Sequence, residues 1–164
     1  KIDIEVISKR PYSFYYWKTK ALTSLIAGIV LGVINLVLLW PLGLSLTILL
    51  KSLVILPLAC IFGTILGFTS WSLSWQMSNP YFFANLVISI ITIVSGVLVL
   101  VSQYPKWLMI ISYGFPFYEV VNFIKLNHTS LWMSCLNALV WLLIGIVSYI
   151  VQIKPVLNNK IHQY

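Results

Sequence analysis

The sequence predicts an all-α protein: a polytopic membrane helix bundle of about four transmembrane helices, with a broken re-entrant extracellular segment between the last two. Three observations predict it. The 164 residues are 60% hydrophobic and only 8% charged, with a mean hydropathy of +0.99, whereas a soluble domain carries roughly 25% charged residues. Apolar runs recur along the chain at the length of about 20 residues that a membrane span needs. Between the last two runs lies 104–127, YPKWLMIISYGFPFYEVVNFIKLN. It is mostly apolar, yet it is broken by Pro105, Gly114 and Pro116 and carries Lys106, Glu119 and Lys125. A spanning helix does not carry such breaks, and a soluble loop does not carry so many Phe, Ile, Leu and Tyr. Non-helical backbone at membrane depth is tolerated only where it packs against protein or lines a wet cavity. The segment therefore reads as two short half-helices that enter from one face and return to it.

Residues 1–20 form a charged cytoplasmic lead-in, with Asp3 and Glu5 beside Lys9 and Arg10 and a break at Pro11. Ser13 can cap the helix that follows. Phe14, Tyr15, Tyr16 and Trp17 with Lys18 and Lys20 make an interfacial belt, rings at headgroup level and ammonium groups in water. The first span is 21–40. Ser24, Gly28 and Gly32 fall four apart in it, a stripe that lets another helix approach closely. Asn35, the strongly polar side chain of this run, reads as an interhelical hydrogen bond.

Trp40-Pro41-Leu42-Gly43 is a turn. The second span is 52–71, although the apolar run already begins near Leu44. Lys51 snorkels to the outer interface, Pro57 kinks the helix, and Ala59, Gly63 and Gly67 repeat the packing stripe. A short polar connection with two tryptophans follows. The third span is 81–103, interrupted by Asn85 and Ser95-Gly96. The fourth, 131–152, contains Asn137 and Gly145, and 153–164 is a polar cytoplasmic tail. Four spans place both termini on one side, with Lys1, Lys9, Arg10, Lys18, Lys20, Lys154 and Lys160, against Lys51, Lys106 and Lys125 on the other. This bias supports cytoplasmic termini and brings the broken segment in from outside.

The composition also argues against whole classes of function. The net charge of +7 follows from this terminal bias rather than from a nucleic-acid surface. No GxxxxGK[ST] phosphate loop is present. Cys60 and Cys135 sit inside apolar runs without metal or redox spacing and read as small core residues. A membrane enzyme needs clustered His, Asp, Glu, Ser or Cys at one depth. His128 and His162 lie far apart, and no HExxH, GxSxG or paired-carboxylate arrangement exists, so neither catalytic residues, cofactor nor metal is expected. Glu119 is the exception that draws notice. A lone carboxylate at membrane depth is expensive and functional by default. Its alternative is a salt bridge with Lys106 or Lys125, or simple exposure at the outer interface. With Asn122 three residues on, it gives one helix face a polar lining.

The order of elements resembles the C-terminal part of a type-2 ABC transporter permease, the membrane subunit of many exporters. In that family a cytoplasmic glutamate is followed by a proline, a serine and a lysine leading into the third span. Here Glu5-Val6-Ile7, Pro11-Tyr12-Ser13 and Lys18 or Lys20 fall in that order. The family's fifth span is followed by an extracellular pair of short re-entrant helices and a sixth span. Here Ser95-Gly96, then Tyr104-Pro105-Lys106-Trp107-Leu108, then Phe115-Pro116-Phe117-Tyr118 match that pattern. The first two of the family's six spans have no counterpart, so the chain, which begins on Lys, reads as part of a longer polypeptide or as an unusually short subunit.

The resemblance implies two permease copies, homo- or heterodimeric, on two separate ATPase subunits in a bacterial cell membrane. The segment near Ile2 to Arg10, with Glu5, Ser8, Lys9, Arg10 and Pro11, would couple to the ATPase. Tyr113, Pro116, Glu119 and Asn122 would line an outer gate or substrate pathway. ATP hydrolysis would belong to the partner. The alternatives are a small substrate-binding membrane subunit of an importer, which usually has six spans, and an assembly factor without a transport role.

Overall fold

The computed structural model describes residues 12–74, 77, 79, 81–97, 99, 101–126 and 130–161. Among these every regular element is helical: α1 (Phe14–Leu39), a 3-10 turn (Trp40–Leu42), α2 (Leu46–Ser74), α3 (Phe82–Val94), a second 3-10 turn (Val101–Gln103), α4 (Lys106–Tyr113), α5 (Tyr118–Leu126) and α6 (Trp132–Ile161). Three stretches, Phe14–Leu42, Leu46–Ser74 and Trp132–Lys154, are long and apolar enough to cross a membrane. The pair α4–α5 bends by 100° at a short break. The molecule is an all-α membrane helix bundle, with three long spans, or four if the bent pair counts as one.

Helix α2 is the hub and packs against α1, α3, α5 and α6. Its start is capped by Ser45, whose hydroxyl accepts from the Ile48 amide at 3.4 Å. Beside it, α1 starts at Ser13, whose Oγ accepts from the Tyr16 amide. It ends where Pro41 and Gly43, at φ 85°, turn the chain. Helix α1 runs antiparallel to α2: Trp17 meets Phe68 and Trp71, whereas Gly32 meets Leu56. Helix α6 runs parallel to α2. Cys135 and Ala138 pack with Ile55 and Ala59 at one level, and the Gln152 side-chain amide donates to the Leu73 carbonyl at another. The start of α1 and Lys154 therefore share one end of the bundle, called here the terminal end, and α4–α5 lies toward the far end. None of the residues of α1 is buried; it lies mainly against α2, and at its start Trp17 also meets Tyr149 of α6.

Several expectations change. The third span, read as 81–103, is a helix only over 13 residues. That is about 20 Å at ~1.5 Å per residue, short of the roughly 30 Å hydrocarbon core. Gly96, at φ 82°, breaks it, because an L side chain rarely adopts that backbone. Helix α2 starts at Leu46, earlier than the expected 52, and runs unbroken through Pro57. The tail expected from 153 onward continues α6 to Ile161. Asn35 is exposed, and its side chain makes no hydrogen bond to another described helix, so the expected interhelical bond is absent among the described residues.

Of the two packing stripes, one holds. Ser24 Oγ lies 3.4 Å from Thr64 Oγ1, a Cβ on Gly28 would stand 3.2 Å from Cys60 Sγ, and one on Gly32 would stand 2.5 Å from Leu56. Ala59 packs into the core with Ile55 and Phe62. Gly63 and Gly67 do not follow: nothing lies within 4 Å of their Cβ positions. They face a cavity rather than a helix. Gly145, not singled out for packing, is the tight glycine of α6, with Phe68 and Thr69 at 2.9 Å from its Cβ position.

Candidate functional site: a broken segment capped by side chains

A helix that ends within the apolar layer leaves its last carbonyls without partners, and hydrocarbon offers none. Helix α3 ends this way, with Val94 packed beside Leu66, Phe115 and Trp141. The broken segment supplies the missing donors. Tyr104 Oη donates to the Ile93 carbonyl and Ser112 Oγ to the Val94 carbonyl. Lys125 Nζ donates to Gly96 O at 2.8 Å and to Val97 O at 3.0 Å. The ammonium group also places positive charge where the α3 dipole is negative.

The bend between α4 and α5 has the same problem and draws on α6. Asn137 Nδ2 donates to the Tyr113 carbonyl. Trp141 Nε1 donates to the Gly114 carbonyl at 2.9 Å. The Trp141 ring stacks on Phe115, with centroids 5.3 Å apart. Trp141 lies about two and a half turns from the start of α6, at ~3.6 residues per turn, so the bend reaches well into the bundle.

Glu119 completes the network in the opposite direction. Its Oε2 accepts from the Ser134 amide at 3.0 Å, and Ser134 lies in the first turn of α6. An exposed helix start carries free N–H groups and a partial positive charge, which a carboxylate satisfies. Glu119 thus pairs with neither Lys106 nor Lys125, and neither salt-bridge expectation holds. Helix α5 presents Glu119 in its first turn and Lys125 in its last. With these two charges it caps the start of one spanning helix and the end of another.

The four residues expected at an outer gate divide. Tyr113 and Glu119 line a cavity of about 380 Å³ with Tyr118, Ser134 and Asn137, and the Tyr113 and Tyr118 rings meet edge-on at 4.9 Å. Pro116 is fully buried and is not among the residues that line this cavity. It sits in the bend between Phe115 and Phe117, whose rings pack on Trp141 and Phe62. Asn122 is half-buried and lies away from this cavity. Glu5, Ser8, Lys9, Arg10 and Pro11, expected to couple to an ATPase, lie outside the described residues.

Sequence reasoning missed Tyr104, Ser112, Lys125 and Trp141 as capping groups. Their signal was present in kind: polar side chains flanking breaks in an apolar stretch. Which carbonyl each meets depends on chain segments up to 29 residues apart. Among the described residues no group of three or more His, Cys, Asp or Glu could hold a metal ion. The free thiols of Cys60 and Cys135 are both half-buried.

A second cavity, of about 810 Å³, opens at the terminal end between α1, α2 and α6. Trp17 stands at its wall, with ring centroids 5.4 Å from Phe68, 5.5 Å from Trp71 and 5.1 Å from Tyr149.

These features define an integral membrane bundle with a broken, side-chain-capped segment between its last two apolar elements. No known family model, no curated protein and no solved structure matches the chain.

Proposed function

We propose that the chain is a transmembrane permease subunit of an ATP-driven ABC exporter, coupled to a separate ATPase subunit and to a second permease copy. The observation that carries this reading is the bent pair α4–α5, with its 100° break, set between a short helix and the last long one, toward the end opposite Phe14 and Lys154. In this reading both termini are cytoplasmic, as the lysine bias supports, and the membrane is that of a bacterial cell, as the resemblance to exporter permeases implies. The broken pair is then an outer gate, with Tyr113 and Glu119 on its lining and Pro116 stiffening the bend behind them. A gate of this kind has to move as a unit. Helix α5 suits that role because its two charges grip the ends of α3 and α6, so a shift of either span is passed to the bend.

The test is affinity purification in mild detergent with identification of what co-purifies. An ATPase subunit in roughly equal amount supports the exporter. A chain that purifies alone from every detergent removes it, and moves the importer subunit and the assembly factor forward. Reversing the charges of Glu5, Lys9 and Arg10 together separates ATP hydrolysis from transport if the lead-in couples them. Retention of both activities with their normal stoichiometry counts against that role.

A further inference from the structure

The cavity between the α4–α5 bend and the start of α6 has a divided lining. Part of it is aromatic. The Tyr113 and Tyr118 rings meet edge-on at 4.9 Å, and Phe115, held by its stack on Trp141, lines the same space. The rest is mainly polar, with Glu119, Ser134 and Asn137. Tyr113 and Met133 are exposed, so the cavity opens outward. Its volume, about 380 Å³, falls in the lower part of the range of roughly 300–1,000 Å³ found for small-molecule sites.

The polar part carries groups that the fold leaves unused. Helix hydroxyls elsewhere in the protein bond back to the carbonyl four residues earlier, as Thr64 does to Cys60, Thr69 to Ile65 and Ser70 to Leu66. Ser134 stands in the first turn of α6, and the carbonyl four residues before it precedes the helix. The residue is 1% exposed, and its hydroxyl has no hydrogen-bond partner. Leaving a buried group in that state costs about 1–3 kcal/mol. Glu119 accepts from the Ser134 amide through Oε2. A carboxylate has about four acceptor sites, and Oε1 receives no hydrogen bond from a described residue.

Possible occupants differ in what they would use. An anion would meet the Glu119 carboxylate, which already occupies the positive end of α6. A hard metal ion needs about six oxygen ligands, and much of this lining is ring and thioether. Water would satisfy the Ser134 hydroxyl and gain nothing from the rings. An ammonium group on a short apolar body uses every part. Its N–H groups donate to Oε1 and to the hydroxyl, its charge faces the carboxylate, and ring faces attract a cation within about 6 Å.

We propose that this cavity binds a small organic ammonium ion, with its N–H groups on Glu119 Oε1 and Ser134 Oγ and its apolar body against Tyr113, Phe115 and Tyr118. The site gives the gate lining a ligand class, and the ligand's role as cargo or effector rests on the exporter reading. Binding itself is measured without ATPase or transport, so failure of the site and failure of that reading are separate results.

The experiment is a saturation-transfer NMR titration of the purified full chain in detergent, with butylammonium chloride and with 1-butanol, which has the same apolar body and no charge. Butylammonium should bind saturably and about tenfold tighter than 1-butanol, equivalent to ~1.4 kcal/mol. Glu119→Gln should remove that preference. Ser134→Ala deletes a hydroxyl that the fold does not use, so its melting temperature should hold or rise. Its butylammonium affinity should nevertheless fall about tenfold, the worth of one hydrogen bond to a charged group. Tryptophan-fluorescence melting reports folding of both variants, and Ser134→Ala carries the test should Glu119→Gln fail to fold. Equal affinity for butylammonium and 1-butanol overturns the site, as does the absence of saturable binding. Unchanged butylammonium binding by folded Ser134→Ala protein also overturns it. Sodium that displaces butylammonium at equal concentration would mark a metal-ion site and overturn it as well.

Discussion

The Glu119 carboxylate caps a helix to which it does not belong, and Lys125, less than two turns away, caps a different one. Charged hydrogen bonds of this kind contribute about 1.5–3 kcal/mol each. Glu119→Ala should therefore lower the melting temperature of the purified protein in detergent, by roughly 2–4 °C per kcal/mol lost in a chain of this size. Glu119→Gln, which keeps an acceptor, should lose less. Equal melting of Glu119→Ala and wild type would show that the cap contributes nothing. Lys125→Met leaves the Gly96 and Val97 carbonyls without their donor and should cost about 1–3 kcal/mol. The same melting curve, together with faster proteolysis near Gly96, reads it out. Whether Glu119 also serves transport is separated by the same pair. A gating role lowers transport in Glu119→Gln more than its melting shift explains, and a purely structural role moves the two together.

Among the helices, the glycines make the sharpest contrast. Gly145, Gly63 and Gly67 all sit in long apolar helices, and sequence alone treats them alike. Gly145→Ala would press a methyl to 2.9 Å from Phe68 and Thr69, and overpacking of this kind costs about 1–3 kcal/mol. Gly67→Ala meets nothing and should be neutral or stabilising by up to ~1 kcal/mol through helix propensity. Gly96→Ala combines a positive φ with a Cβ 2.9 Å from Val101 and should destabilise the end of α3 by about 1–2 kcal/mol. The order of melting temperatures, Gly67→Ala highest and the other two below wild type, checks all three. A Gly145→Ala protein that melts with Gly67→Ala would mean that α2 and α6 do not approach this closely.

Across the whole molecule, α1 antiparallel and α6 parallel to α2 put Tyr12 and Lys154 at one end of the bundle and the turn between α1 and α2 at the other. Single cysteines at Tyr12, Leu44 and Lys154, in a background lacking Cys60 and Cys135, should label in two groups with a membrane-impermeant maleimide. Tyr12 and Lys154 should react from one side of the membrane and Leu44 from the other. Labelling of Tyr12 and Lys154 from opposite sides would overturn the topology. Helix α1 has no buried residue of its own, but its Tyr16 and Trp17 cover Tyr149 and Ile153 of α6. The two main buried apolar clusters are built by α2, α3 and α6 together with the α4–α5 bend and α5.

Much of this architecture is legible in the sequence. Hydrocarbon offers a backbone amide or carbonyl no partner, so an uninterrupted spanning stretch pairs its backbone within itself. The length of an apolar run and the places of Pro and Gly therefore locate helices almost without reference to neighbours. Ser13 as a cap, Trp40–Gly43 as a turn and Gly114–Phe117 as a bend all follow from local chemistry. The short third helix was signalled by Ser95-Gly96, but its true length was not, because an apolar stretch continues past the break. What remained hidden is whatever depends on how one helix is rotated against another. Gly28 and Gly67 sit in equivalent stripes, yet one touches Cys60 and the other faces a slot. Asn122 and Glu119 share a helix, yet only Glu119 reaches the start of α6. Helix geometry fixes the partner of a hydrogen bond inside a helix; a bond between helices is set by crossing geometry, which no single stretch of sequence contains.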